Sequence, residues 1–223
     1  MADIFREVDE ELRREQAQKL WQRYGTYVLA AAVLVVLATA GAVAWREWRD
    51  ADLRAQGARL VAATELAAKG STDEAIRSLD ALAGEASDGY ALLARLNEAA
   101  LRAKQGDAAG AAALYEAIAA DSDAPATYRD LAVLLLALNG FDSADPQAMI
   151  ARLAPVTADG NPLRFSALEI TALYERKAGN PARAREIYQQ LAEAANVPAA
   201  MRERAREMLR LTADAAGGAK GAS

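Results

Sequence analysis

The groups in this chain that could do chemistry are its 31 Asp and Glu, its 26 Lys and Arg and a scatter of hydroxyls; 223 residues contain no histidine and no cysteine. Without them a Ser-His or Cys-His nucleophile cannot be assembled. The usual ligands of zinc, haem and iron–sulfur clusters are missing too, and no disulfide framework can form. No Gly-x-x-x-x-Gly-Lys-Ser/Thr loop is present to cradle a nucleotide phosphate. The carboxylates are spaced like solvated helix faces. Asp73 and Glu74 stand where a helix start would use them, and Glu203 with Arg206 and Glu207 read as surface helix pairs. A glycosidase-type pair would need a cleft that this spacing does not suggest. Beyond residue 49 there are 19 Lys and Arg against 24 Asp and Glu, a net charge of −5. A mildly acidic surface argues against nucleic acid, which would want a basic stripe. The sequence therefore describes a protein that is not an enzyme, takes no cofactor and no metal, and acts by binding.

The strongest single feature is the uncharged run YGTYVLAAAVLVVLATAGAVAW, Tyr24 to Trp45. Its 22 residues would rise about 33 Å as a helix, enough for a hydrocarbon core of roughly 30 Å. Trp21, Tyr24 and Tyr27 mark one edge, Trp45 and Trp48 the other, and such amphipathic rings prefer the headgroup zone. Lys19 and Arg23 on one side and Arg46 and Arg49 on the other can snorkel toward water. Ala42-Val43-Ala44 matches a signal-peptidase site, but the run is longer than an ordinary signal h-region and follows a charged head, so the span is expected to remain as an anchor. The resulting plan is a head at 1–23, a transmembrane helix at 24–45, a domain at 46–213 and a disordered tail at 214–223. In the head, Ile4, Phe5, Val8 and Leu12 fall at helical spacing among charges, an amphipathic pattern. Five basic residues precede the span and four follow closely, and a short head usually stays inside. The N-terminus is expected in the cytoplasm and the domain outside, which in a bacterium means inner membrane and periplasm.

The domain repeats itself. GSTDEAIRSLDAL, GDAAGAAALYEAI and GNPARAREIYQQL align from Gly70, Gly106 and Gly179. Five residues on stand Ala75, Ala111 and Ala184; nine on, Leu79, Tyr115 and Tyr188; twelve on, Leu82, Ile118 and Leu191; seven before, Ala63, Ala99 and Ala172. A diverged copy places Pro146 against Pro181. The pattern is that of stacked helix pairs. Glycine closes the first helix of a pair in a left-handed conformation, a capped second helix follows, and alanine marks close approach. Ser71 with Glu74 reads as a capping box, and Asp145-Pro146, Asn161-Pro162 and Asn180-Pro181 as N-cap followed by proline. No alternating β-branched run reads as a strand. The fold class is all-α: one N-terminal transmembrane helix, then an α-solenoid. Helices are expected near 50–69, 72–84, 88–105, 108–121, 125–139, 146–154, 162–178, 181–194 and 198–213.

The repeat, about 36 residues long, resembles the tetratricopeptide repeat over residues 57–196, with the early Trp and Leu of that motif missing. The order of the whole chain, an amphipathic head, a span closing on Trp45-Arg46-x-Trp48 and alanine-rich repeats, resembles the ancillary subunit of the bacterial Sec translocon and its alphaproteobacterial relatives. That resemblance implies a protein-binding accessory subunit in the lipid bilayer of the inner membrane. Its implied partners are the Sec channel subunits, a membrane-anchored periplasmic chaperone and exported polypeptides. It implies no catalytic residue. An envelope scaffold for division or wall assembly would use the same repeats.

Stacked helix pairs present a concave surface built from the first helix of each pair. Counting back from Gly106 and Gly179 places Leu93, Leu96, Lys104, Glu169, Leu173, Arg176 and Lys177 on it as a candidate peptide groove. Trp21, Tyr24, Trp45 and Trp48 are the candidate membrane-interface anchors.

Overall fold

The glycines that punctuate the repeats also punctuate the helices. A computed structural model describes residues 2–220, with side-chain surroundings at residue 14 and over 18–212. In chain order the helices are α1 (Ala2–Ala68), α2 (Thr72–Glu85), α3 (Asp88–Lys104), α4 (Ala108–Ala120), α5 (Ala126–Asn139), α6 (Pro146–Leu153), α7 (Arg164–Lys177), α8 (Pro181–Glu193) and α9 (Ala199–Lys220), with a 3-10 turn at Ala154–Thr157 after α6. Among the described residues there is no strand. The expected boundaries of α2 to α8 hold to within two residues; at the start, the helix expected from residue 50 is the last part of α1, which is continuous from Ala2, and the other departure is at the end. There α9 continues to Lys220, seven residues past the expected stop, and only 221–223 of the expected disordered tail lie outside the described residues. The stripe of Ile4, Phe5, Val8 and Leu12 lies outside the described side chains, although the backbone there is helical.

Two units divide the chain between Ala55 and Gln56. The first is the N-terminal part of α1. From residue 18 to residue 52 every residue but Gly25 is exposed, including Val33, Leu34, Val35, Val36 and Leu37. This helix is long and apolar enough to cross a membrane. Each such aliphatic side chain left in water forgoes roughly 1.5–3 kcal/mol. Inside the run, Thr39 donates its hydroxyl to the Val35 carbonyl at 2.7 Å, so its polar group is satisfied within the helix. At the edges, Trp21 lies over Gly25, where a Cβ would meet the indole at 3.2 Å. The Trp45 and Trp48 rings stand 5.3 Å apart, and the Arg23 guanidinium sits 5.7 Å from the Tyr24 ring. All four candidate anchors are exposed.

The second unit contains the repeats, and their equivalent residues do equivalent work. Ala63, Ala99 and Ala172 are completely buried, as are Ala75, Ala111 and Ala184. Leu79, Tyr115 and Tyr188, and after them Leu82, Ile118 and Leu191, are buried to within a per cent. The diverged copy keeps the layout with other side chains: Met149, Leu153 and Val156 stand where Ala184, Tyr188 and Leu191 stand 35 residues later, and all three are buried. Small residues set the distance of approach and large ones fill the layer beside it.

The turns repeat as well. Gly70, Gly106 and Gly179 have φ of 89°, 88° and 82°, which a Cβ would resist. Around each glycine the same two bonds close the helix. The residue after it donates to the carbonyl five back, Ser71 to Leu66, Asp107 to Arg102 and Asn180 to Glu175. The glycine itself donates to the carbonyl three back. This is the Schellman arrangement.

The N-caps are less regular. Asp145 caps α6 as expected, its carboxylate accepting from Ala148 N–H at 2.7 Å ahead of Pro146. Ser71 makes no side-chain cap, so the expected capping box is not formed. Asn180 precedes Pro181 but turns its amide to Glu175. Asn161 accepts from Leu163 N–H and donates to Asp130, and α7 begins only at Arg164. A cap not anticipated is Asp107, which accepts from Gly110 N–H at 2.9 Å. That bond, and then Arg102, hold its carboxyl below the usual carboxylate range.

Candidate functional site

Helix α7 is the hub of the candidate site, because three of its faces meet different surroundings. Ala167, Ile170 and Tyr174 join the core shared with α3, α4, α5 and α6. Leu168 and Ala172 join the core shared with α8 and α9. Four others, Glu169, Leu173, Arg176 and Lys177, border two adjoining hollows.

The first hollow, about 320 Å³, is walled by Leu138 of α5, Ile170 and Leu173 of α7, and Met208 of α9, with Tyr188 of α8, Glu169, Arg204 and Glu207 completing it. The second, about 420 Å³, is lined by Phe141, Leu173, Arg176 and Lys177. Leu173 is common to both. Arg204 approaches Glu169 from α9 with two N–H groups, Nε at 2.8 Å from Oε1 and Nη2 at 2.9 Å from Oε2. This fork raises the Arg204 pKa further and pairs the α7 carboxylate with a charge of opposite sign.

The structure thus gathers four of the seven candidate groove residues in one place and disperses the other three. Leu96 is buried in the core that α3 shares with α4 to α7 instead of lining a groove. Leu93 is half-buried and its carbonyl accepts from Asn97. Lys104 is exposed and away from both hollows. The cause is a matter of cover. The residue ten before the glycine is Leu96 in one repeat and Glu169 in another, and in the diverged copy it is Leu134, 35 before Glu169. Both leucines are buried in the core that α3 to α7 share, whereas Glu169 of α7 meets the polar Arg204.

Lys177 is also not a free groove cation. Its ammonium donates to the carbonyls of Phe141, Asp142 and Ala144, the latter two at 3.1 Å, and sits 5.3 Å from the Phe141 ring. It fastens the α5–α6 connection to α7. Phe141 in turn meets Tyr174 edge-on at 5.1 Å, and the Tyr174 hydroxyl donates to the Ala137 carbonyl at 2.7 Å.

Sequence reasoning missed Leu138, Ile170, Tyr188, Arg204, Glu207 and Met208. Most come from helices other than α7, and those of α9 stand beyond the last aligned repeat. The available signal was Tyr188, already placed at a layer-filling position.

The chemistry open to this arrangement is narrow. Burial pushes the Tyr115, Tyr174 and Tyr188 hydroxyls up, so each stays protonated at neutral pH. Among the described residues no cluster of acidic groups is arranged to hold a metal. Apolar hollows beside an ion pair are suited to holding another molecule's side chains.

A family model described as a tetratricopeptide repeat-like domain matches residues 18–218. The chain belongs to that family. The match begins before the apolar run and ends within α9, so this tetratricopeptide repeat-like chain is one family unit over nearly its whole length. No match was found among the curated proteins or among the solved structures. Tetratricopeptide repeat-like domains are typically protein-interaction scaffolds, and a protein-binding role fits what the hollows can do.

Proposed function

We propose that this protein is a single-pass inner-membrane subunit whose periplasmic repeats bind polypeptide beside the Sec channel. The observation that carries the reading is Leu173. It is a half-buried apolar residue shared by two adjoining hollows on one repeat helix, in a chain whose N-terminal helix is apolar and uncovered. Two neighbouring apolar sites suit consecutive side chains of an extended or helical segment. Shallow sites of this kind bind modestly, and a membrane anchor compensates by holding binder and client at an effective concentration near millimolar.

The partner follows from the resemblance in chain order, from the amphipathic head through the Trp45-Arg46-x-Trp48 exit to alanine-rich repeats. On that reading the clients are exported chains or a membrane-anchored chaperone, and the head stays in the cytoplasm. Purification of the full-length protein after mild detergent extraction tests it. Recovery of Sec channel subunits is expected. Recovery of division or wall-assembly proteins in their place would move the reading to an envelope scaffold.

A further inference from the structure

The two hollows that adjoin across Leu173 differ in the sign of their charge. The wall of the first brings two carboxylates, Glu169 and Glu207, against one guanidinium, Arg204. Arg204 is held by Glu169, and Glu207 meets Arg210 at 3.4 Å. The second hollow is lined by Phe141, Leu173, Arg176 and Lys177, two cations with no carboxylate in the lining.

These two cations are not equivalent. Lys177 directs its ammonium protons to the carbonyls of Phe141, Asp142 and Ala144, so it supplies charge but no spare donor. Arg176 is exposed, and among the described ion pairs none involves it, whereas Arg152, Arg164, Arg183 and Arg204 each meet a carboxylate. It lies near the Tyr188 hydroxyl. A guanidinium has five N–H donors, so donors remain after that contact. The neighbouring acids stand outside the lining: Glu175 accepts from the Asn180 amide at 2.9 Å, and Asp142 makes no described ion pair with either cation.

The geometry points to the second hollow as the seat of an apolar–acidic residue pair within a bound polypeptide, the apolar side chain against Phe141 and Leu173 and the Asp or Glu carboxylate accepting from Arg176. Charge-assisted bonds from a guanidinium to a carboxylate suit that fit, and the Lys177 charge adds to the attraction. Leu173 and Arg176 stand one turn apart on α7, about 5–6 Å between side-chain origins, which neighbouring residues of a bound segment can match. The segment continues across Leu173 into the first hollow, whose carboxylates turn an acidic side chain away. The inference rests on the reading that the repeats bind polypeptide, and it specifies which residue pair they select.

The test uses the full-length protein in nanodiscs of neutral lipid with isotope-labelled leucine methyls, titrated with soluble glycine–serine peptides whose centre is Phe-Glu, Phe-Gln or Phe-Lys. A shift at Leu173 is expected, with affinity falling in that order. The Phe-Glu peptide should bind about threefold more tightly than Phe-Gln at low salt, the worth of an exposed charge pair, and the gap should close as salt rises. In Arg176→Gln the Phe-Glu and Phe-Gln peptides should bind alike, with the melting temperature unchanged because Arg176 is exposed. Equal affinities of the two in the wild type, or a preference for Phe-Glu that survives Arg176→Gln in full, overturn the inference. So does a Leu173 shift as large from anionic-lipid nanodiscs without peptide, which would assign the basic edge to a membrane surface. If all three peptides move Leu173 equally, or none does while cross-linkers elsewhere on the repeats capture polypeptide, the charge selection is wrong and the protein-binding reading stands.

Discussion

Arg204 of α9 grips both carboxylate oxygens of Glu169 on α7, at 2.8 and 2.9 Å, beside the apolar hollow these helices share. The Arg204 side chain is 57% exposed and Glu169 23%, so solvent screens the pair. Its importance lies in what the hollow can accept more than in stability. Arg204→Ala should cost less than about 1 kcal/mol, as exposed ion pairs do. It should also raise the affinity of peptides bearing a basic residue, by freeing Glu169. Denaturant melts and peptide titrations check the two halves. A loss of several kcal/mol would show that the pair holds α9 in place.

The alanines at the crossing of paired helices should not tolerate size. Ala111 and Ala184 are wholly buried at the same offset from their glycines. Replacing either with leucine should overpack the contact and cost about 1–3 kcal/mol. Thermal denaturation of each variant reads this out, and unchanged melting at both positions would contradict the repeat alignment.

Lys104 and Lys177 stand at one repeat position, two residues before the glycine, yet only Lys177 reaches three carbonyls of the α5–α6 connection. Lys177→Met should destabilise by about 1 kcal/mol, a charge-assisted hydrogen-bond effect reduced by exposure. Lys104→Met should leave stability within about 0.5 kcal/mol of wild type. A charge reversal at Lys177 would thus confuse binding with folding, so Arg176, at the rim of the second hollow, is the better site for probing partners.

Asp107 gives a pH dependence with a definite sign. Gly110 N–H and then Arg102 stabilise its ionised form, so its folded pKa lies below the ordinary 3.8. A depressed carboxyl contributes stability that is fully present above the unfolded pKa and is lost as pH falls through the folded one. The contribution should therefore persist at neutral pH and fade below about pH 4. Asp107→Asn, which keeps a capping oxygen, should flatten that part of the stability–pH curve in acid denaturation followed by circular dichroism. A slope identical to wild type would contradict the assignment.

Much of this architecture was legible because certain positions admit one kind of residue. Gly70, Gly106 and Gly179 stand at positive φ, and Ala75, Ala111 and Ala184 at points with no room for a larger side chain, so both recur and can be aligned. Ser71, Asn161 and Asn180 were harder to read, since a polar side chain near a helix start has several local partners of similar energy. The groove was only half legible. Counting residues identifies a helix face, but whether a residue on that face is buried, as Leu96 is, or borders a hollow, as Glu169 does, depends on what packs over it. Arg204 and Met208 come from α9, which stands beyond the last aligned repeat.

The central claim, polypeptide binding on the α7 face beside the Sec channel, is tested most directly by photo-cross-linking in living cells. The full-length protein would carry a photoreactive amino acid at Leu173 in one strain and at the half-buried Leu93, outside both hollows, in another. The account predicts ultraviolet-dependent adducts with exported chains, a Sec channel subunit or a periplasmic chaperone from Leu173, and few or none from Leu93. Adducts from Leu173 confined to division or wall-assembly proteins, or absent altogether, would contradict it.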